Sequence, residues 1–329
     1  DIYGKKALTA IENLEDGDLL MLNNVRMDED EISTKGDFVA MSETMMVQNL
    51  SMIADAFVND AFACAHRSSP SIVGFTNVLP CIAGELMNYE LSKLGQALET
   101  PKRPCIAVLG GIKVDDSVVV ADNMLRGGIS DHIWVTGGVA NLFLHLSGID
   151  LGELNVNFLK NEIKDKWDET VAIASALLKD FPECIIMPSD LALNISGNRV
   201  DHPLKSLPIE APIFDLGITS IQSLSKAIKS AGTIILNGPA GVFELSDFAL
   251  GTIEMLNACA ESEGYAVMGG GHTATLVSQR GLADKMGHVS TGGGASLELL
   301  AGRTLPGLAS LEESAKQFRF SISKPLDHQ

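Results

Sequence analysis

The chain of 329 residues has 46% hydrophobic and 20% charged residues, the balance of an ordinary globular protein. Its formal net charge of −18 argues against nucleic acid or an anionic membrane as the main partner. No apolar run is long enough to cross a bilayer, and the five cysteines are widely spaced without a C-x-x-C pair. This pattern predicts reduced thiols in a cytoplasmic protein and excludes a disulfide framework or a zinc site.

Two segments in the first hundred residues look like pieces of an α/β unit. Within residues 17–27 (GDLLMLNNVRM) the apolar run LLMLNNV predicts a strand, with Arg26 just past its carboxyl end. Residues 52–67 (MIADAFVNDAFACAHR) lead into a stretch around Arg67 that is too polar for a core. A guanidinium binds a carboxylate or a phosphate bidentately, so the two arginines suit a small phosphorylated carboxylate. Surface arginines in solvent explain the spacing equally well.

Residues from about 80 to 100 are predicted to form a helix, because apolar side chains recur there at helical spacing and prolines follow at once. We interpret this helix as the connection between two domains.

A short apolar run that ends in glycine and is followed by a helix-like segment recurs five times further along the chain. The five stretches are CIAVLGGIKV (105–114), IWVTGGVANLFLHL (133–146), TIILNGPAGVF (233–243), AVMGGGHTATLV (266–277) and HVSTGGGASLELL (288–300). Apolar runs without polar alternation are typical of strands buried on both faces, and their alternation with helices predicts a parallel sheet. Ligands bind beyond the carboxyl ends of such strands, which is where the glycines lie.

Glycine turns at the start of helices are suited to bind phosphate, because exposed N–H groups and the helix dipole both attract anions. A single glycine pair more often only packs a helix against a strand, but five at one edge favour a phosphate site. Gly292, Gly293 and Gly294 fit this role, and Lys113 is the one cation among the turns. The P-loop, the G-x-G-x-x-G dinucleotide fingerprint with its acidic residue, and the G-x-S-x-G elbow are all absent from the sequence.

Six stretches together resemble phosphoglycerate kinases, and the archaeal branch in particular. They are LLMLNNVRMDEDE, FVNDAFACAHRSSPSIVGF, VLGGIKVDDS, LNGPAGVFE, GGGHTATLV and HVSTGGGASLELLAGRTLPGLASL, with weaker matches at MPSD (187–190) and DLG (215–217). The resemblance implies two Rossmann-like three-layer α/β domains with parallel sheets, joined by a hinge helix. Residues 1–100 would form the phosphoglycerate-binding domain and the hinge helix, residues 101–305 the nucleotide-binding domain, and residues 306–329 a tail that packs back on the first domain.

The implied reaction is reversible phosphoryl transfer from 1,3-bisphosphoglycerate to ADP, giving ATP and 3-phosphoglycerate, with Mg²⁺ accompanying the nucleotide. The resemblance places the phosphoglycerate on Arg26 and Arg67, and it assigns no metal ligand. It assigns catalysis to Arg26, Lys113, Gly271, Gly293 and Gly294. It assigns the nucleotide to Gly111, Lys113, Gly137, Gly138, Asn237, Pro239, Glu244, Gly271, His272 and Thr273.

Three departures from the family pattern affect these expectations. Family members carry further residues before the position of Asp1, so the resemblance implies an incomplete N-terminal domain. A second lysine that bacterial members have four positions after Lys113 is Ser117 here, and the Mg²⁺-binding aspartate of the family is His272. Archaeal-type members share the last two changes.

The alternative hypothesis for the function is an inactive or regulatory nucleotide-binding protein derived from the same fold. The missing dinucleotide fingerprint excludes an oxidoreductase.

Overall fold

The computed structural model describes residues 1–34 and 36–318, with the backbone alone for His272. They form two compact units: Asp1–Tyr89 together with the chain from Thr304 (unit 1), and Glu90–Arg303 (unit 2). The division falls inside the predicted connecting helix, whereas the sequence placed the domain boundaries after residues 100 and 305. Residues 319–329 of the predicted tail lie outside the described residues.

Helices and short strands alternate along the chain. The helices of the described residues are α1 Lys5–Glu12, α2 Glu29–Ser33, α3 Phe38–Ser42, α4 Met45–Ser51, α5 Pro70–Val73, α6 Glu85–Leu98, α7 Val114–Arg126, α8 Gly137–Leu146, α9 Glu153–Ile163, α10 Trp167–Asp180, α11 Ile218–Ser230, α12 Leu250–Glu261, α13 Gly271–Gln279, α14 Gly294–Leu300 and α15 Pro306–Gln317. The strands of the same residues are β1 Phe57–Asn59, β2 Cys81–Ala83, β3 Cys105–Leu109, β4 His132–Val135, β5 Ile185–Ile186, β6 Asp190–Ile195, β7 Asn198–Pro203, β8 Ile213–Leu216, β9 Thr233–Asn237, β10 Tyr265–Gly269 and β11 His288–Val289. None of the helices within residues 1–34 and 36–318 has the length and apolar character needed to span a membrane.

Unit 1 contains a parallel pair of strands, β1 and β2, with Phe57 opposite Cys81. Helix α15 packs against this pair, because Leu311 shares a buried cluster with Phe75 and Cys81. The Ser314 hydroxyl also accepts a hydrogen bond from the backbone N–H of Cys81 at 3.0 Å. The helix that follows Arg303 therefore contributes to the core of unit 1.

The strand predicted in residues 17–27 is absent, and that prediction was wrong. Residues 18–24 have no regular secondary structure, and Arg26 lies in a 3-10 turn, Val25–Met27. Leu19 and Met21 are 99% and 94% exposed. A strand needs a neighbour to which its N–H and C=O groups can bond, and in the described part of unit 1 only β1 and β2 pair with each other. Apolar composition alone therefore did not produce a strand here.

Unit 2 is organised around a parallel sheet whose strand order, among the described residues, is β11-β10-β9-β3-β4-β5. Every residue of β3 and β9 is buried, as the uninterrupted apolar runs predicted. The register places Asn237 beside Leu109 and Gly269, and Leu109 beside Val135, so these strands end at one edge. The α/β class with parallel sheets and the shared glycine-rich edge are both confirmed.

An antiparallel sheet of β7, β6 and β8 was not predicted from the sequence. It explains the MPSD and DLG stretches as structural motifs. The Asp190 carboxylate accepts the backbone N–H groups of Thr219 and Ser220, at 3.0 and 2.8 Å, and so caps the start of α11. The buried Asp215 carboxylate accepts a hydrogen bond from the Arg199 guanidinium at 2.8 Å.

Candidate functional site

The five glycine turns lie next to one another at the carboxyl edge of the sheet in unit 2, directly after β3, β4, β9, β10 and β11. Helices α7, α8, α13 and α14 begin in or just after four of these turns. The first N–H groups of a helix have no partner within the helix, and they carry the positive end of its dipole. The edge therefore presents several backbone donors that suit an anion.

The glycines after β3 and β9 allow two turns to touch through their backbones. The N–H of Gly110 donates to the carbonyl of Asn237 and that of Gly111 to the carbonyl of Pro239, both at 2.8 Å. A Cβ atom on Gly110 would overlap the Pro239 carbonyl, and one on Gly238 would overlap the Gly110 carbonyl. Close backbone packing is therefore the primary reason for glycine at these positions.

The turn after β4 packs against the same backbone. Gly137 has φ +53°, and a Cβ atom there would lie 2.9 Å from the Gly111 nitrogen. A Cβ atom on Gly138 would lie 2.9 Å from the Gly111 oxygen, which accepts the Gly138 N–H at 3.0 Å. The turns after β3, β4 and β9 thus form one rigid backbone platform.

The glycines after β10 and β11 have a different environment. A Cβ atom on Gly271 or Gly293 would meet no atom within 4 Å. Gly293 has φ +49° and Gly270 has φ +92°, a backbone region that favours glycine. No packing contact requires glycine at Gly271 or Gly293, so these two positions leave backbone exposed where a ligand can approach.

Lys113 is exposed and directly precedes α7, among the glycine turns. In residues 1–34 and 36–318 its ammonium has no carboxylate within ion-pair distance. Lys166 brings a second cation to this region, since its Nζ lies 2.5 Å from an Asp115 carboxylate oxygen in the first turn of α7. Burial raises the pKa of the neighbouring Asp116, the charge of Asp115 adds to that rise, and the two lysines oppose it.

Ser117 occupies the position of the missing second lysine and is buried in α7. No described residue bonds to its hydroxyl oxygen. A serine hydroxyl is uncharged, and this one is buried, so the structure provides no cation from this position.

The other residues that the family resemblance assigns to the nucleotide lie around the same edge. Asn237 is the buried last residue of β9, and Pro239 and the exposed Glu244 follow in the connection to α12. Thr273 is buried in the first turn of α13, and its hydroxyl oxygen has no partner among the described residues. The side chain of His272 lies outside the described part of the chain.

Glu90, which the sequence did not single out, anchors the glycine loop after β11. It is 1% exposed, and its carboxylate lies 2.7 Å from Nε2 of His288. It accepts the Ser290 hydroxyl at 2.8 Å, the Thr291 hydroxyl at 2.8 Å and the Thr291 N–H at 2.9 Å. The Ser290 hydroxyl in turn accepts the N–H of Gly292 at 3.1 Å. The loop that leads to the open Gly293 is therefore held by a buried carboxylate of α6.

The environment of Glu90 keeps the carboxylate ionised. Burial alone would raise its pKa, but the hydrogen bonds from His288, Thr291 and Ser290 outweigh burial and lower the pKa to about 2. An ionised carboxylate only accepts, so His288 donates from Nε2. The sequence contained one signal that Glu90 is buried. It lies three residues after Met87 and four before Leu94, which places a charged residue on the apolar face of the helix.

In unit 1, Arg26 and Arg67 are both exposed. The Asn24 side chain accepts the backbone N–H of Arg26 at 3.0 Å, which starts the 3-10 turn. The guanidinium of Arg67 lies 4.0 Å from the sulfur of Cys64. Neither guanidinium forms an ion pair with a described carboxylate, although the chain has 42 acidic and 24 basic residues. Both arginines are therefore available to bind an anion.

Comparison with known proteins identifies the family. The family model described as phosphoglycerate kinase matches residues 1–303. The chain belongs to the phosphoglycerate kinase family. The phosphoglycerate kinase of Methanothermobacter thermautotrophicus is 45% identical over 314 residues, which cover 95% of this chain and 75% of that protein. That of Methanobacterium bryantii is 46% identical over 313 residues, with the same shares of the two chains. The crystal structure of the phosphoglycerate kinase of Pyrococcus horikoshii OT3 matches with a TM-score of 0.88 and 38% identity, covering 97% of this chain and 78% of that one.

Membership of the phosphoglycerate kinase family confirms the predicted family, fold class and enzyme class. The chain is a phosphotransferase with a carboxyl group as acceptor, and its substrates are a nucleotide and a phosphoglycerate. The alternative of a regulatory protein without activity is not favoured, because the curated relatives are phosphoglycerate kinases.

Proposed function

We propose that unit 2 binds ADP or ATP as its Mg²⁺ complex at the glycine edge, and that unit 1 binds the phosphoglycerate through Arg26 and Arg67. The observation that carries the proposal is the open backbone at Gly271 and Gly293, where two helices begin and no packing contact demands glycine. Phosphoryl transfer has a loose transition state with charge spread over the equatorial oxygens. Rigid N–H donors at such an edge stabilise that charge without reorganising.

For the nucleotide we propose two groups of contacts. Gly137 and Gly138 border the base, and Pro239 and Glu244 border the ribose, with Glu244 accepting from its hydroxyls. Gly111, Lys113, Asn237, Gly271, His272 and Thr273 contact the phosphates. The exposed and unpaired Lys113 supports this assignment, since a free ammonium is a good point-charge partner for phosphate.

For the transfer step we propose that Gly293 and Gly294 contact the phosphoryl group while it moves and that Lys113 neutralises part of its charge. The catalytic role that we propose for Arg26 is to bind the phosphoglycerate in unit 1. A side chain at Gly293 would occupy the space that a phosphoryl oxygen needs. The Glu90 cluster holds this loop in place, so the donors are positioned before the substrate arrives.

We propose that Mg²⁺ arrives with the nucleotide as part of the substrate. The ion prefers oxygen ligands and retains several waters, and it usually binds through nucleotide phosphates with one or two protein groups. Among the described residues no group of three or more His, Cys, Asp or Glu side chains is arranged to hold a metal ion.

We also propose that the protein is cytoplasmic. The five free cysteines support this location, because thiols stay reduced in the cytoplasm.

The first experiment is a coupled assay of ATP-dependent phosphorylation of 3-phosphoglycerate by this chain, with calorimetric titration of ADP beside it. We expect Gly293→Ala to reduce turnover about 100-fold, the typical effect of disturbing one preorganised donor, with ADP affinity nearly unchanged. The matched control is Gly281→Ala, because Gly281 also has a positive φ, +64°, and open space around its Cβ position, but lies beyond the carboxyl end of α13. Equal losses in the two variants would refute a role for Gly293 in the transfer.

Lys113 is tested separately through nucleotide affinity. We expect Lys113→Ala to weaken ADP binding about tenfold, because one charge-assisted phosphate contact is lost. Lys179→Ala is the control, since Lys179 is an exposed lysine at the carboxyl end of α10, which leads towards the opposite edge of the sheet. Binding of ADP without any turnover in the unmodified chain would instead support the regulatory alternative.

A further inference from the structure

A buried carboxylate in unit 1 links the two segments that carry the arginines. Glu31, in α2, is only 9% exposed. One of its oxygens accepts the Ser69 hydroxyl at 2.8 Å and the Ser71 hydroxyl at 2.6 Å. The other accepts the backbone N–H of Ser71 at 2.9 Å. A buried carboxylate with three donors is a strong and directional link, because each bond is charge-assisted.

The link lies close to both arginines in the chain. Ser69 is two residues after Arg67, so their Cα atoms are at most about 7 Å apart. Glu31 is five residues after Arg26, and the intervening chain consists of a 3-10 turn and the start of α2. The Asp28 side chain caps α2 by accepting the N–H of Asp30 at 2.9 Å, which fixes the relation between the turn and the helix. The carboxylate thus joins two short segments of defined conformation, each of which presents an unpaired guanidinium.

We propose that Glu31 is a positioning residue for the phosphoglycerate: it holds the Arg26 turn and the Arg67 loop together so that both guanidinium groups converge on one anionic ligand. This inference rests on the proposed role of the two arginines. Two unpaired guanidinium groups repel each other, so without the link the segments would move apart when no ligand is bound. The ligand would then have to order both segments, and that cost would reduce its affinity.

This role also explains the serines of the HRSSPS stretch. Ser69 and Ser71 flank Pro70, the first residue of α5, and both hydroxyls point to the same Glu31 oxygen. A loop that only had to reach α5 would have no need for two hydroxyls directed at a carboxylate some 40 residues earlier in the chain.

The test is calorimetric titration of the full chain with 3-phosphoglycerate and, separately, with ADP. We expect Glu31→Gln to raise the dissociation constant of 3-phosphoglycerate about tenfold and to leave that of ADP unchanged. The matched control is Glu29→Gln, an exposed residue in the first turn of the same helix, for which neither constant should change. A merely structural role would reduce the fraction of binding-competent protein, seen as a lower stoichiometry, with unchanged dissociation constants.

A second variant covers the case in which Glu31→Gln does not fold. Ser71→Ala removes one hydroxyl and keeps the backbone bond, and we expect a smaller rise in the dissociation constant of 3-phosphoglycerate, about threefold, without loss of stoichiometry. In the Glu31→Gln background the same change should have little further effect, because both act through one link. An unchanged dissociation constant in Ser71→Ala would overturn the inference, as would full additivity of the two changes where Glu31→Gln does fold.

Arg67→Lys separates this inference from the proposed function. If Arg67→Lys weakens 3-phosphoglycerate binding and neither Glu31→Gln nor Ser71→Ala does, the arginine site stands and the role of Glu31 is refuted. If Arg67→Lys has no effect, or if the unmodified chain binds ADP but no 3-phosphoglycerate, the proposed placement of the phosphoglycerate fails and the role of Glu31 fails with it.

Discussion

Replacing Glu90 by glutamine tests how strongly the buried cluster holds the glycine loop. The carboxylate has an ordinary pKa of 4.5 and a pKa of about 2 in the folded chain. The difference corresponds to about 3 kcal/mol of stability at neutral pH, at about 1.4 kcal/mol for each pH unit. Because the folded pKa is lowered, the contribution is complete above the unfolded pKa and is lost as the pH falls towards about 2. We therefore expect Glu90→Gln to cost about 3 kcal/mol at pH 7 and about 1 kcal/mol at pH 3.

Urea denaturation followed by tryptophan fluorescence measures this loss in the relevant unit, because both tryptophans, Trp134 and Trp167, lie in unit 2. Glu162→Gln is the control, since Glu162 is an exposed residue of α9 in the same unit, and its midpoint should match the unmodified chain at both pH values. A loss for Glu90→Gln that is the same at pH 3 as at pH 7 would show that the ionised carboxylate is not the source of the stability. We also expect lower turnover at equal ADP affinity, because the loop before Gly293 loses its anchor.

Three further substitutions test the packing and capping described above. Gly238→Ala should cost about 3 kcal/mol or more, since φ is +85° and the Cβ would overlap the Gly110 carbonyl; a normal denaturation midpoint would contradict this. Gly307→Ala should lower the free energy of unfolding by about 1 to 2 kcal/mol, because its Cβ would lie 3.1 Å from the backbone of Ala65. Ala65 is two residues before Arg67, so the change should also weaken 3-phosphoglycerate binding, which calorimetry measures. Asp190→Ala should lower the free energy of unfolding by about 2 kcal/mol at pH 7, because the cap of α11 is lost. Burial raises the pKa of Asp190, but hydrogen bonds from residues 219 and 220 outweigh burial and lower it, so the difference from the unmodified chain should shrink in acid. A loss of stability that is independent of pH would refute the charge contribution.

Much of unit 2 could be read from local patterns. The runs that became β3 and β9 are apolar without interruption and end in glycine, so their burial and the position of the glycine-rich edge followed from the sequence. The spacing of apolar residues within 80–100 likewise predicted the helix that became α6. These inferences succeeded because the burial of a strand and the apolar face of a helix both depend on residues only a few positions apart in the sequence.

The assignments that came from family resemblance have a different status. The comparisons confirm the family and the enzyme class, whereas the roles of Lys113, Glu244 and the two arginines stay predictions. The structure adds a distinction among the glycines that no motif contains. Gly110 and Gly238 are required by backbone packing, whereas Gly271 and Gly293 face open space.

The sequence by itself determined the parallel α/β class, the glycine-rich edge and the family, because each depends on local composition and spacing. Only the tertiary structure decided that residues 17–27 form no strand, that Glu90 anchors a loop 201 residues further along the chain, and that Glu31 joins the segments of the two arginines. A strand depends on a pairing partner, and a buried carboxylate depends on donors that only the folded chain brings to it. Those partners lie far away in sequence, so no local pattern can specify them.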